Sequence, residues 1–194
     1  MNRREMLKLG LSTAASGLIV PALPSLFSSA TAQSTMTPAF GSHRAIKNSV
    51  YYNGTVFSFL ADSKATGGKY AMYEAFVRQG LEPPPHTHTR EDEIFYILEG
   101  EATFQSGDVV TQAKPGDHIF QPRGELHWFK VKTSTLRGII MVTPGGLENA
   151  FKTRGIPATS LELPVPPAPP TPAQIEASVK FFAEQYGVIY AVPK

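Results

Sequence analysis

The sequence predicts an all-β fold of antiparallel strands with one α-helix near its C-terminus. Short runs rich in Val, Ile, Phe and Tyr recur along the chain, and turn residues separate them. The 194 residues include 17 Pro and 16 Gly, which suits a fold with many turns. One amphipathic segment follows the last of these runs. Together these observations favour a β-sandwich or a small barrel.

Residues 1–32 have the composition of an export signal. Arg3 and Arg4 form a twin-arginine pair, a broken apolar stretch covers residues 9–26, and Ala30-Thr31-Ala32 matches a cleavage site. The stretch is too short and too interrupted to predict a membrane span. We expect twin-arginine export to the periplasm or beyond, without stable membrane insertion after cleavage. An ordinary secretory signal and an uncleaved anchor are the alternatives. Residues 33–48 are predicted to be a loosely ordered lead-in.

Charge and composition exclude several classes of function. Beyond residue 32 the chain carries 15 basic and 15 acidic residues, so its formal charge gives no reason to expect nucleic-acid binding. The chain has no Cys, which excludes disulfides, thiolate metal sites and a Cys nucleophile. Its sequence also contains no nucleophile-triad signature, phosphate loop or dinucleotide fingerprint.

A β-domain is predicted over residues 49–162. Turn signals such as Glu99-Gly100 and Pro115-Gly116-Asp117 divide it into short strands. The predicted strands are Val56–Leu60, Tyr70–Arg78, Ile94–Leu98, Glu101–Gln105, His118–Gln121, His127–Val131 and Leu136–Val142.

Residues 163–194 are predicted to form a proline-rich connector and a helix. The connector, Leu163–Pro172, is expected to be extended. Thr171 as N-cap and Gly187 as C-cap bound a helix over Pro172–Tyr186. This helix is predicted to pack on the outside of the β-domain through the stripe Ile175, Val179, Phe182 and Tyr186. One or two further helical turns are expected over Leu147–Thr153.

Three histidines and one glutamate are candidate metal ligands. On a strand, His86 and His88 point to the same side, so both imidazoles can reach one ion. Glu93 shares its face with the apolar Phe95 and Ile97, where an unpaired carboxylate would be costly. His127 is available as a further imidazole on a later strand. Such a set suits one divalent first-row ion, which leaves Mn, Fe, Co, Ni, Cu and Zn open.

The spacing of these residues resembles the two cupin motifs. Gly80, His86, His88, Glu93 and Gly100 occupy every defined position of the first motif. The second motif is present as Gly116, Pro122, Gly124 and His127, with Val131 in place of its final Asn. The flanking segments resemble those of single-domain bacterial cupins related to the quercetin 2,3-dioxygenases.

The resemblance implies an antiparallel jelly-roll-type β-barrel, with the helix outside and one metal inside, and a homodimer. It transfers the ligand role to His86, His88, Glu93 and His127. It also transfers to Glu93 the role of a general base towards a bound substrate hydroxyl. Phe95, Ile97, Phe129 and Val131 are then expected to line an apolar substrate site.

Other polar residues nearby have simpler interpretations. Glu91 and Asp92 are predicted to be solvent-facing turn residues, although either could orient a ligand histidine, and Asp92 competes with Glu93 as ligand. Arg123 is expected to be a solvated turn residue. His43 and His118 are expected at the surface.

Three functions remain open on the sequence alone. The first is a dioxygenase that acts with O2 on a flavonol-like or other enol-containing aromatic molecule. The second is a non-oxidative decarboxylase, isomerase or lyase that uses the metal as a Lewis acid. The third is a non-catalytic periplasmic protein that binds a metal or a small molecule. An oxalate decarboxylase is less favoured, because Leu81–Pro85 offers no arginine for a small dianion.

Overall fold

The computed structural model describes residues 37–191, so the predicted signal over residues 1–32 lies outside the described part. Twelve strands lie within the described part: β1 Ser49–Tyr52, β2 Thr55–Ala61, β3 Ala71–Arg78, β4 His86–His88, β5 Asp92–Glu99, β6 Ala102–Ser106, β7 Val109–Ala113, β8 His118–Gln121, β9 His127–Val131, β10 Thr135–Thr143, β11 Ile156–Pro157 and β12 Val188–Tyr190. Three α-helices accompany them: α1 Ser63–Thr66, α2 Glu148–Arg154 and α3 Pro172–Phe181.

The strands form two antiparallel sheets. The larger has the order β11-β1-β2-β3-β10-β5-β8, and the smaller has the order β12-β4-β9-β6-β7. Every strand pair between residues 37 and 191 is antiparallel, which confirms the predicted fold class. Ladder hydrogen bonds do not join the two sheets among these residues, so the barrel is held together by its core.

Alternation along the strands places the core between the sheets. On β5, Glu93, Phe95 and Ile97 are buried, whereas the residues between them are partly or fully exposed. The rings of Phe95, Phe104 and Phe129 bring β5, β6 and β9 together, with centroids 5.0–5.6 Å apart. Aromatic contacts at these distances add about 0.5–1.5 kcal/mol per pair beyond the area that they bury.

All seven predicted strands are confirmed: the bounds of β8 and β9 match the prediction, and those of the other five differ by at most two residues. Five further strands, β1, β4, β7, β11 and β12, complete the sheets. The short helix predicted over Leu147–Thr153 is confirmed as α2, displaced by one residue.

The C-terminal helix is confirmed, but its packing differs from the prediction. Thr171 caps α3 by accepting a hydrogen bond from the Gln174 backbone N–H at 3.3 Å. The helix continues as a π-helical turn over Phe182–Tyr186, and Gly187 ends it in the left-handed conformation at φ 68°. Phe182 is buried, whereas Ile175 is 50% exposed. Only the C-terminal end therefore packs on the β-domain, because Ile175 is the single large apolar residue of the first two turns.

The connector before α3 lies on the outer side of the larger sheet. Arg44 donates a hydrogen bond to the Leu161 carbonyl at 2.7 Å, and Arg78 donates one to the Pro164 carbonyl at 3.4 Å. These contacts hold the connector to the segment before β1 and to the end of β3. Between residues 37 and 191, no helix has the length and apolar character needed to cross a membrane.

Candidate metal centre

The structure brings His86, His88, Glu93 and His127 together between the two sheets. His86 and His88 lie on β4 and point to the same side, and His127 lies directly opposite His86 on β9. Glu93 approaches from β5 in the larger sheet. All four side chains are buried, with at most 7% exposure. The cluster therefore connects both sheets.

One ligand atom from each of these residues lies within 4.8 Å of the others. The imidazole centroids of His86 and His127 are 4.6 Å apart, and that of His88 is 5.0 Å from His86 and 5.1 Å from His127. The Glu93 Oε2 atom lies 3.6 Å from the His127 Nε2 atom. Two ligand atoms that each lie about 2.1 Å from the same ion are separated by a distance similar to the one between these two atoms.

Backbone carbonyls orient two of the imidazoles. The Nδ1 atom of His86 lies 2.8 Å from the Pro84 carbonyl oxygen, and that of His127 lies 3.0 Å from the Glu125 carbonyl oxygen. A carbonyl can only accept, so both Nδ1 atoms carry the proton. The Nε2 lone pairs of His86 and His127 are therefore free to bind an ion.

Burial keeps the imidazoles neutral. It lowers the pKa of His86 to about 4, with a further contribution from His127. It lowers the pKa of His88 to about 2, and it also lowers the pKa of His127. Neutral imidazole is the form that binds metal ions, so no proton has to leave these side chains at neutral pH.

Burial has the opposite effect on Glu93. Desolvation, followed by repulsion from Glu91, raises the pKa of Glu93 to about 8. His127 is neutral, so its 3.6 Å approach to Glu93 is not an ion pair. The carboxylate therefore lacks a positive partner, and a divalent cation would stabilise its charged form.

The donor set fits one metal ion. The Nε2 atom of His127 is buried and has no hydrogen-bond partner. Buried polar atoms in proteins are nearly always paired. An unpaired Nε2 atom beside three other donor atoms therefore indicates a site for a bound ion. His86, His88, His127 and Glu93 could together hold a single divalent transition ion.

Asp92 is not a member of the cluster, which removes it as the alternative ligand. Its carboxylate accepts hydrogen bonds from the Arg123 backbone N–H and Nε, both at 3.0 Å, and from Nη2 at 2.7 Å. These contacts with Arg123 lower the pKa of Asp92 to about 2. Arg123 lies in an exposed turn, as predicted, and it also donates to the Thr143 carbonyl oxygen at 3.2 Å, so it links β5 to the end of β10.

The prediction that Glu91 faces solvent is wrong. Glu91 is only 5% exposed, and its Oε2 atom lies 3.9 Å from the His88 Nδ1 atom. Neither atom has a hydrogen-bond partner. Backbone carbonyls accept from the Nδ1 atoms of the other two histidines. On the Nδ1 side of His88 the Glu91 carboxylate is found instead of a carbonyl. Burial raises the pKa of Glu91 to about 7.

We expect Glu91→Gln to weaken metal binding without removing it. The Glu91 carboxylate faces the His88 Nδ1 atom at 3.9 Å without a hydrogen bond, and loss of a carboxylate beside a ligand histidine typically costs about 10–100-fold in metal affinity. Competition of the apo-protein with a chromophoric chelator would measure the change. Glu101→Gln, at an exposed position after β5, is the matched control. Equal affinities for the two variants would contradict the assigned role of Glu91.

The four residues predicted to line a substrate site lie in the closed core. Phe95, Ile97, Phe129 and Val131 are at most 6% exposed and belong to one hydrophobic cluster. They pack against each other and against Phe104, beneath the metal cluster. Their contact with a substrate stays a prediction.

Two surface concavities of the described residues lie away from the four candidate ligands. One of about 580 Å³ is bordered by Tyr51, Tyr52, Arg154 and the connector. Another of about 420 Å³ lies between residues 38–42 and the Leu60–Ala61 end of β2.

Two further buried polar groups lie near the centre, of which Gln121 was not identified from the sequence. Gln121 is 1% exposed and lies opposite Glu93 in the ladder between β5 and β8. Tyr73 is 1% exposed, and burial together with the charge of Glu93 raises its pKa. Both residues alternate with other inward-facing side chains on predicted strands, and this alternation was the signal that could have identified them. His43 and His118 are exposed, as expected.

Comparison with known proteins identifies the family of the β-domain. Residues 73–143 match the family model described as Cupin domain. The chain is 28% identical over 98 residues to quercetin 2,3-dioxygenase of Bacillus subtilis (strain 168), which covers 50% of this chain and 29% of that protein. It is 43% identical over 58 residues to dimethylsulfoniopropionate lyase DddQ of Ruegeria pomeroyi, which covers 29% of this chain and 28% of that protein. The matched segments thus span less than a third of either curated relative.

Among solved structures, KdgF from Halomonas sp. aligns over 50% of this chain and 86% of its own, with a TM-score of 0.45 and 18% identity.

Proposed function

Because this chain belongs to the cupin superfamily, we propose that it is a metal-dependent dioxygenase for a flavonol-like or other enol-containing aromatic molecule. The observation that carries the proposal is the buried cluster of three neutral imidazoles and one carboxylate. The similarity to a quercetin 2,3-dioxygenase over half of the chain supports the choice of reaction.

The histidines and the glutamate of the centre have different roles. His86, His88 and His127 would hold the ion, and backbone carbonyls already orient the rings of His86 and His127. Glu93 offers a second carboxylate oxygen that can accept the proton of a substrate hydroxyl. In the metal-free protein burial raises the pKa of Glu93 to about 8, whereas a bound cation would hold the carboxylate in the charged form that can accept a proton. When bound, the ion supplies Lewis-acid activation of the substrate oxygen.

Oxygen consumption by the metal-loaded protein tests the proposal. Mature protein reconstituted with Mn, Fe, Co, Ni, Cu or Zn would be mixed with a panel of flavonols and other enol-containing aromatics in an oxygen-electrode cell. Uptake that needs both the metal and one class of substrate supports the dioxygenase. No uptake with any metal, despite one bound ion per chain, would overturn it.

A non-oxidative lyase is the second candidate. The 43% identity to the dimethylsulfoniopropionate lyase over 58 residues favours it. In this case Glu93 would accept a proton from carbon, a group on the adjacent carbon would leave with its bonding electron pair, and the product would be an alkene instead of an oxidised ring. Product analysis of the same reactions under nitrogen separates the two candidates, since a lyase needs no O2.

We further propose that the chain is exported by its twin-arginine signal and works as a periplasmic homodimer. The outer face of β10, β5 and β8 carries apolar side chains in adjacent rows: Ile94, Tyr96, Phe120, Ile139 and Met141. Tyr96 and Phe120 are 47% and 52% exposed. Ion pairs flank this face, Asp92–Arg123 near one end and Glu99–Arg137 near the other. Such a face with both charge signs at its rim suits a second copy related by a two-fold axis.

We expect Phe120→Lys to convert the dimer to a monomer, because a charge would be buried in an apolar interface. Sedimentation velocity would measure the change in mass. Val165→Lys is the control, since Val165 is 89% exposed on the connector, away from this face. A wild-type protein that sediments as a monomer at micromolar concentration would overturn the proposed interface.

A further inference from the structure

A tyrosine from the C-terminal strand lies in the same row as two candidate ligands. In the smaller sheet, Tyr190 on β12 is opposite His86 on β4, and His86 is in turn opposite His127 on β9. Directly opposed residues of antiparallel strands point to the same face, so all three side chains face the interior. The ring centroids of Tyr190 and His86 are 5.6 Å apart.

The strand that carries Tyr190 is held firmly against the ligand strand. The Thr89 backbone N–H donates to the Gly187 carbonyl oxygen at 3.0 Å, and the Ala191 backbone N–H donates to the Pro85 carbonyl oxygen at 2.8 Å. Arg90 Nη1 donates to the Gln185 carbonyl oxygen at 2.7 Å. Backbone pairing on both sides of His86 and His88 therefore fixes the distance between Tyr190 and the cluster.

The surroundings of Tyr190 are aromatic on one side and polar on the other. Phe182 contacts its ring edge to face at 5.9 Å, and Tyr52 lies beyond Phe182 at 6.3 Å. The Tyr190 side chain is partly buried, and its hydroxyl makes no hydrogen bond to another residue between 37 and 191. A phenol is protonated at neutral pH, so the Tyr190 hydroxyl can donate a hydrogen bond.

The Tyr190 hydroxyl is not among the fully buried polar atoms that lack a partner, so it is free to donate to water or to a bound ligand. Buried or partly buried hydroxyls normally find a partner, and packing of the ring alone would be served equally well by phenylalanine. The Tyr190 ring contacts His86, so a ligand held beside His86 would lie within reach of this side chain.

We propose that Tyr190 is a substrate-binding residue of the metal centre, whose hydroxyl donates a hydrogen bond to a substrate oxygen held beside His86. The residue lies outside the matched segment 73–143, so the C-terminal segment supplies part of the specificity of the site. The ligand class is a small molecule with an aromatic ring and at least one ring-bound oxygen. The choice of this class rests on the proposed function, whereas the position of Tyr190 does not.

Binding of 4-nitrocatechol to the cobalt-loaded protein tests this role independently of turnover. The probe has an aromatic ring and two adjacent oxygens, and its visible absorption changes when it enters a metal site. Tyr190→Phe keeps the ring and removes only the hydroxyl. We expect its dissociation constant to rise about fivefold, as for the loss of one neutral hydrogen bond, with unchanged cobalt content.

Tyr186→Phe is the matched control. Its ring contacts Phe181 and Phe182 at 5.4 Å and 6.2 Å in the same C-terminal segment, but it has no ring contact with the histidines. We expect Tyr186→Phe to bind the probe like wild type. Equal probe affinity of Tyr190→Phe and wild type would overturn the proposal. Loss of cobalt from Tyr190→Phe would overturn it too, because the residue would then act on the ligand strand instead of on the substrate.

The proposed function and the role of Tyr190 fail in different ways. Absence of oxygen uptake, with probe binding that depends on Tyr190, removes the dioxygenase and keeps the substrate-binding role. Oxygen uptake with the same KM in wild type and Tyr190→Phe removes the role of Tyr190 and keeps the dioxygenase. A wild-type cobalt protein that does not bind 4-nitrocatechol and consumes no oxygen overturns both.

Discussion

Replacing His127 or His86 by alanine is expected to remove most of the bound metal and to leave the β-domain folded. Each imidazole offers one of four donor atoms that lie within 4.8 Å of one another. If a four-ligand site binds with about 10–16 kcal/mol, the loss of one ligand lowers affinity by roughly 10²–10³-fold. The core should survive, because its aromatic packing of Phe95, Phe104 and Phe129 lies below the cluster.

Metal content after dialysis, measured by elemental analysis, gives the first readout. Thermal unfolding with and without added metal gives the second. Wild type should gain about 2.7 kcal/mol of unfolding free energy at a free-metal concentration of 100 Kd, and the variants should gain much less.

His118→Ala is the control, because His118 is exposed on β8. If a variant fails to fold, His127→Asn restores polar volume at the same position. Full metal content in His86→Ala, His127→Ala and His118→Ala alike would show that the ion binds elsewhere.

Local pattern predicted the parts of the centre that lie on one strand. The spacing of His86 and His88 puts both on one strand face whatever the rest of the fold, and the alternation of Glu93, Phe95 and Ile97 predicts their common burial. The approach of Glu93 to His127 joins two different sheets. No spacing rule predicts such a contact, so this part depended on the resemblance to the cupin motifs.

The missed strands have physical reasons of their own. β7 is an edge strand in which four of five residues are exposed, so it carries little of the alternation that predicts a half-buried strand. β12 has three residues and gains its structure by pairing with β4, a non-local contact. Glu91 was predicted to face solvent because it lies in a polar turn. Neighbouring Thr89 and Arg90 fix this turn to the C-terminal segment, which the local sequence does not reveal.

Glu93→Gln is expected to reduce oxygen uptake by about 10²–10⁴-fold per bound metal ion, which is the usual contribution of a positioned general base. The amide keeps the shape and one acceptor oxygen of the carboxylate, but it cannot accept a proton. The stability of the metal-free protein is expected to increase with the same substitution. The carboxyl of Glu93 is buried, with its pKa raised to about 8, so a neutral amide removes an unfavourable buried charge from the metal-free protein. We therefore expect the stability advantage of metal-free Glu93→Gln over metal-free wild type to grow as the pH rises from about 4.5 to about 8, and to stay constant above that.

Normalising the rate to bound metal separates the two roles of Glu93. If Glu93 were only a ligand, Glu93→Gln would hold less metal but would turn over at the wild-type rate per ion. If it also accepts the proton, the rate per ion falls, and raising the metal concentration does not restore it. Glu101→Gln makes the same chemical change at an exposed position and should leave the rate per ion unchanged. A wild-type rate per ion in Glu93→Gln would assign proton transfer to another group. A reduced rate per ion in Glu101→Gln alone would point to a surface effect instead.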